Sequence, residues 1–248
     1  MARRRRPRGL FITGTDTGVG KTVVACAIAS WCRARGLDVG IMKPVATGGR
    51  RIRDGDEARW VSEDARCLAA CAGAADPWRL MNPICFREPI APWTAARRAR
   101  APIRLDRILA AFHALALRHE VLIVEGIGGL LVPLNRDQTV AHLAQRLGLP
   151  VVLVARPDLG TLNHILLSLA CVRRMRLRYH GLILNHARPS PRGRWDRLAQ
   201  RTNPQILAQF TRLLGTLPFH PALAAGSMPD ASALAAWVDR HLPELTAL

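Results

Sequence analysis

Short apolar runs alternate along the chain with longer segments in which apolar residues recur every three or four positions. The spacing predicts a strand at 10–13, a helix at 21–35 stopped by Gly36, and a second strand at 37–42. The stretch 44–101 is rich in Arg, Pro, Gly and Trp and predicts one helix near 62–72 among long functional loops. A helix at 105–119 leads into the most apolar strand, 121–124, which ends at Glu125. Helix 139–147 precedes strand 151–155, and helix 162–175 precedes strand 181–184. Asn203 followed by Pro204 predicts a helix start, with asparagine as N-cap and proline at the first helical position, and a short strand follows at 216–217. Continuous apolar strands alternating with helices imply a parallel sheet covered on both faces. The expected fold is a single-domain, doubly wound, mostly parallel α/β sheet over 9–248, preceded by a basic extension at 1–8. Ligands of such sheets bind at the carboxyl ends of the strands.

Composition narrows the class. A chain of 248 residues, 49% hydrophobic and 22% charged, can bury a full core and is not of the disordered type. No apolar run reaches the roughly 18 residues that span a bilayer. The N-terminus lacks the apolar core of a secretory signal, so a soluble, cytoplasmic protein without a membrane partner is expected. The six cysteines, at 26, 32, 67, 71, 85 and 171, form no Cys-x-x-Cys pair, which argues against zinc and thioredoxin-type chemistry. Cys67 and Cys71, one turn apart, read as small apolar residues on one helical face.

A net charge of +18 invites a nucleic-acid reading, but 34 of the 36 cations are arginine and most are scattered. One tyrosine and 5% aromatics offer few stacking platforms, so a solvated basic surface, with no nucleic-acid partner, is the better reading. The two lysines, Lys21 and Lys43, become the informative cations. A compact ammonium on a flexible stem does work that a guanidinium fork does not.

Lys21 closes Gly14-Thr15-Asp16-Thr17-Gly18-Val19-Gly20-Lys21-Thr22, between the first strand and the first helix. That is the place for a loop whose backbone N–H groups cradle phosphates. Gly18, Val19, Gly20, Lys21, Thr22 and Val23 are the expected ATP contacts, with the Thr22 hydroxyl on Mg2+. Strict consensus asks for glycine where Thr15 stands, so the match is Gly-Lys-Thr in the right context. Lys43 ends the second strand at the same sheet edge, and Pro44 holds it extended. Lys43 is therefore the candidate catalytic residue beside Lys21, and Thr47 could add a hydroxyl. Magnesium takes carboxylate and phosphate oxygens. Glu125 at a strand end is the first candidate ligand, with Gly126 and Gly128 allowing close backbone approach. By spacing, Asp64 stands level with Asp54, Asp56, Glu57 and Glu63.

Taken together, these segments resemble the dethiobiotin synthetase family, ATP-dependent ring-closing enzymes of biotin synthesis. Beyond the phosphate loop, the resemblance is carried by Lys43-Pro44-Val45-Ala46-Thr47-Gly48, Glu63-Asp64-Ala65, Asn82-Pro83 and Glu88-Pro89. Val124-Glu125-Gly126 with Gly128-Gly129, Leu159-Gly160 with Asn163-His164, and Asn185 complete it. It implies conversion of 7,8-diaminononanoate and CO2 to a carbamate, phosphorylation by ATP, and closure of a cyclic urea. It also implies Asp64 and Glu125 as magnesium ligands, Lys43 as the catalytic lysine, and Thr17 and Thr47 near the substrate. Asn185 and His186, with Pro218, Phe219 and His220, would face the base. Gly160 and Asn163 would hold the substrate carboxylate across a homodimer interface. The chain departs from the family at Ala91-Pro92-Trp93, where Ser-Pro-His is usual, and at His186, where aspartate is common; Ile127 for a smaller residue should be harmless. A partitioning or cell-division-site ATPase, binding DNA or membrane, is the alternative on the same fold. Such proteins carry a second lysine inside the phosphate loop, and Asp16 occupies that place here.

Overall fold

The computed structural model describes residues 8–189, 193–221 and 230–245, so most of the basic N-terminal run lies outside the described residues. A six-stranded parallel sheet has the order β10-β9-β8-β1-β7-β2. Its members are β1 (Arg8–Gly14), β2 (Val39–Met42), β7 (Val121–Gly129), β8 (Val151–Ala155), β9 (Tyr179–Asn185) and β10 (Leu213–Leu217). Alternate residues of a strand point to opposite faces, and both faces are covered. On one face Leu10, Ile12, Ile41 and Ile123 meet Ile28 of α1 (Lys21–Ala34) and Leu234 and Val238 of the last helix, α9 (Ala231–His241). On the other, Phe11, Met42, Leu122 and Val124 meet α5 (Leu105–Ala116) and α6 (Val140–Leu147). Leu153, Leu182 and Leu184 pack under α7 (Thr161–Arg174) and α8 (Arg194–Leu207).

The loop-rich stretch contains more structure than its composition suggests. Beside the expected helix, α2 (Glu63–Ala72), stand β3 (Val45–Ala46) paired with β6 (Ile84–Cys85), and the hairpin β4 (Arg50–Asp54) with β5 (Glu57–Val61). Two short helices, α3 (Trp78–Met81) and α4 (Pro92–Arg98), complete it. The hairpin is antiparallel, turns at Gly55-Asp56, and ties Arg59 to Asp54 at 3.1 Å. Ser62 caps α2 by accepting the Ala65 N–H at 3.2 Å, while Glu63 and Asp64 sit in the first turn, where the helix dipole favours negative charge.

Two expectations need correction. Asn203 and Pro204 do not open a helix: α8 begins at Arg194 and runs through them. The buried Asn203 amide instead donates to the Pro157 and Asp158 carbonyls, tying α8 to the end of β8. Nor does β7 stop at Glu125. It continues to Gly129, with its register against β1 shifting between Ile12 and Gly14.

Candidate active site

Three adjacent strands, β1, β7 and β2, end at one rim and deliver the loop before Lys21, Glu125 and Lys43 to a single cavity of about 620 Å³. At the phosphate loop, α1 starts at Gly20 in the left-handed conformation (φ +89°), with no side-chain cap on its first turn. A Cβ at Gly20 would collide with the Asn185 amide. The uncapped N–H groups of that turn and the positive helix end form an anion cradle. Lys21 is buried; its ammonium donates to the Asp16 carbonyl at 2.9 Å. Burial, reinforced by the Lys43 charge, lowers its pKa to about 8.

Lys43 is 2% exposed and sits at the centre of the site. Its Nζ meets Glu125 Oε1 at 2.5 Å, Asp64 Oδ2 at 2.8 Å and the Gly126 carbonyl at 3.3 Å. Burial works against the ammonium, yet the two carboxylates outweigh it and the Lys43 pKa is raised. Asp64 also feels burial, but Lys43 holds its carboxyl below the ordinary range. Glu125, completely enclosed, is pushed up by burial, with Lys43 opposing. Thr22 Oγ1 donates to Glu125 Oε1 at 2.8 Å.

The magnesium expectation can be tested on this donor set. Among the described residues Glu125 Oε2 is buried without a hydrogen-bond partner, in a site that also offers a threonine hydroxyl and the half-exposed Asp64 carboxylate. Hard oxygens of this kind, two carboxylates at most, suit Mg2+ carried in with a triphosphate. The residues fit the ion.

The structure brings most of the expected residues together. Thr17, Gly18, Gly20, Lys21, Thr22, Val23, Lys43, Thr47, Asp64, Glu125, Gly128, Asn185, His186, Phe219 and His220 line the cavity. Val19 and Gly126 stand behind it as backbone: the Val19 carbonyl accepts from the Asn185 amide at 2.9 Å. Pro218 does not line the cavity, while burial lowers the His186 pKa, with Asp158 opposing. His220 packs edge-to-face on Trp237, centroids 5.4 Å apart. Gly160 and Asn163 do not reach the cavity; they lie at the start of α7, beside the exposed Leu159. Sequence reasoning missed the apolar wall made by Ala46, Pro89, Ile90, Val132 and Ala187. Ala91, Pro92 and Ile127 also belong to that wall. Periodicity carries no signal for apolar groups that loops and short element ends turn inward, as at Ala46, Pro92 and Ile127.

A parallel α/β sheet with a Gly-Lys-Thr loop between β1 and α1, and the buried Glu125 of β7 beside it, defines a P-loop nucleotide-binding fold. A family model described as an AAA domain matches residues 8–227. The ATP-dependent dethiobiotin synthetase BioD of Anaeromyxobacter dehalogenans (strain 2CP-C) is 41% identical over 92% of this chain and 98% of its own length. The protein of the same name from Bacillus licheniformis is 36% identical over 85% and 86%. Among solved structures, the MinC:MinD cell division protein complex of Aquifex aeolicus is similar with a TM-score of 0.53 at 14% identity. That likeness covers 94% of this chain and 95% of the other and concerns the fold alone. The chain belongs to the dethiobiotin synthetase family, among ATP-dependent ligases that form carbon–nitrogen bonds.

Proposed function

We propose that this protein closes the cyclic urea of dethiobiotin from 7,8-diaminononanoate, CO2 and ATP. The observation that carries the reading is the convergence of Lys21 and Lys43, the chain's only two lysines, with Glu125, Asp64 and Thr22 in one cavity behind a phosphate loop. The loop N–H groups and Lys21 hold the triphosphate. One amine of the substrate, carboxylated by CO2, presents a carbamate oxygen to the γ-phosphorus; the P–O bond to ADP breaks as the new one forms. The second amine then attacks the carbamate carbon, the ring closes, a proton leaves the nitrogen, and phosphate departs. The first step brings two anions together and the second expels an anionic phosphate, and two buried ammonium groups at fixed positions offset that charge. Mg2+ held by Thr22, Asp64 and Glu125 would supply further neutralisation of the phosphate oxygens.

Lys43 is ion-paired to both carboxylates, so its charge is held in place before substrates arrive. Thr17 and Thr47 line the cavity, and in this reading their hydroxyls donate to the carbamate. Asn185, His186, Phe219 and His220 form the end of the cavity assigned to the base. A homodimer is part of the reading: exposed Leu159, Leu166 and Leu167 surround Gly160 and Asn163 and would be covered there, where those residues would meet the partner's substrate. A cytoplasmic setting is part of the same reading. The partitioning-ATPase alternative has only fold-level likeness behind it, and Asp16 stands where its loop lysine belongs.

The test is incubation of the purified protein with ATP, Mg2+, bicarbonate and the diamine. Phosphate release that requires the diamine, with the cyclic urea detected by mass spectrometry, is expected. Equal phosphate release without the diamine would refute the reading.

A further inference from the structure

Asn82-Pro83 is one of the segments carrying the family resemblance, yet nothing in the proposed chemistry uses it. Asn82 is 1% exposed, at the end of α3, and lies outside the lining of the main cavity. Its amide makes three bonds, two of them to distant segments. The Oδ1 accepts the Ser62 N–H at 3.0 Å, and the Nδ2 donates to the Lys43 carbonyl at 2.7 Å, with a longer bond to the Ile84 carbonyl at 3.5 Å. The residue before it completes the hold on Lys43, whose N–H donates to the Met81 carbonyl at 2.7 Å. Both polar groups of the Lys43 main chain are thus fixed by residues 81 and 82.

Ser62 is the N-cap of α2, and Asp64 is two residues further on. Asn82 therefore closes a ring of bonded contacts. The ring runs from the Lys43 main chain through the Asn82 amide to Ser62, along the first turn of α2 to Asp64, and from its carboxylate back to Lys43 Nζ at 2.8 Å. A primary amide is the shortest side chain that offers a donor and an acceptor from one rigid plane. A carboxylate could not donate to the Lys43 carbonyl, and an apolar side chain would leave two buried backbone groups unsatisfied.

We propose that Asn82 is a positioning residue for the ligase reaction, fixing Lys43 and the Asp64-bearing end of α2 relative to one another. The inference rests on the catalytic reading of Lys43 given above. It separates two functions of the site: the phosphate loop binds nucleotide without Asn82, whereas the Lys43–Asp64 geometry depends on it.

The experiment compares wild type with Asn82→Ser and Asn82→Ala. Serine keeps one hydroxyl, which both donates and accepts but is a bond shorter than the amide and so does not span Ser62 and Lys43 together; alanine removes both bonds, and the serine variant keeps the test alive if alanine fails to fold. A misplacement of the order of 1 Å lowers turnover by roughly 100-fold, so kcat should fall about 10- to 100-fold with the KM for ATP within about threefold of wild type. In an Asp64→Asn background the further loss on Asn82→Ser should shrink to less than about threefold, because the contact it supports is already gone. A second readout is independent of activity. With two lysines in the chain, 13C-lysine labelling gives two side-chain Cε signals, assigned with Lys43→Ala. The Lys43 signal should move toward that of free lysine in Asn82→Ser while the Lys21 signal stays in place. A folded serine variant with wild-type kcat and an unmoved Lys43 signal would overturn the proposal, as would equal displacement of both lysine signals. Wild type lacking diamine-dependent phosphate release would sink the functional reading instead, and the lysine signals would still decide the role of Asn82.

Discussion

Replacing Lys43 separates what the ammonium does for catalysis from what it does for the fold. Its side chain is 3% exposed and that of its closest partner, Glu125, is 1% exposed, so the 2.5 Å pair is fully desolvated. Lys43→Met deletes the charge but keeps most of the volume, leaving Glu125 buried with only the Thr22 hydroxyl. Stranding one member of such a pair costs about 3–5 kcal/mol of stability. The Asp64 link adds much less, because that carboxylate is 48% exposed and solvent screens it. Glu125 will respond by taking up a proton, which bounds the loss. The matching variant, Glu125→Gln, removes the stranded charge, so Lys43→Met with Glu125→Gln should melt higher than Lys43→Met alone. On turnover the lost ammonium should raise the barrier by about 3–4 kcal/mol, at least ~100-fold in kcat. Lys43→Arg should not rescue, because a planar fork does not fit a space closed around a single ammonium. The assay is diamine-dependent phosphate release beside thermal melts of each variant. Near-normal turnover by Lys43→Arg, or a double variant no more stable than Lys43→Met, would refute the reasoning.

Other consequences are equally open to measurement. Gly20→Ala combines a left-handed backbone with a collision at the Asn185 amide, so it should abolish the rise in melting temperature that MgATP gives wild type. Chelating divalent ions should stop turnover, and Glu125→Gln should raise the Mg2+ concentration needed for half-maximal rate at least about tenfold, read from a magnesium titration. His119 offers a pH test away from the site: its two ring nitrogens meet Asp38 at 2.8 Å and Asp76 at 2.7 Å. Burial disfavours its charge, but the two aspartates outweigh that and raise its pKa above the ordinary 6.5. A raised pKa means stability fully present below 6.5 and lost as pH climbs through the folded value. The melting-temperature gap between wild type and His119→Gln should therefore be wide at pH 6 and narrow at pH 9; a constant gap would count against the clamp.

The alternation of apolar strands and amphipathic helices was sufficient to specify a parallel sheet, because a strand buried on both faces must be apolar throughout and a covering helix must not. Local chemistry likewise singled out the Gly-Lys-Thr loop and both lysines, since such a turn between strand and helix suits a phosphate and lysine is rare in this chain, and the structure brings the two lysines to one cavity. What spacing left open was which carboxylate joins them: Asp64 was one of five candidates by spacing and was singled out only by the family resemblance, and it is the capped start of α2 that brings it to Lys43. The hairpin 50–61 stayed hidden because its first strand is arginine-rich and of its two strands only Val61 is buried, so no buried face imposes a period of two. Asn203 and Pro204 mimicked a helix start because a local signal cannot reveal that the asparagine is spent on carbonyls of another segment. Asn82 is the same case with a greater consequence. Its amide bridges residues 20 and 39 positions away, and a bridge between distant segments exists only once the chain has packed.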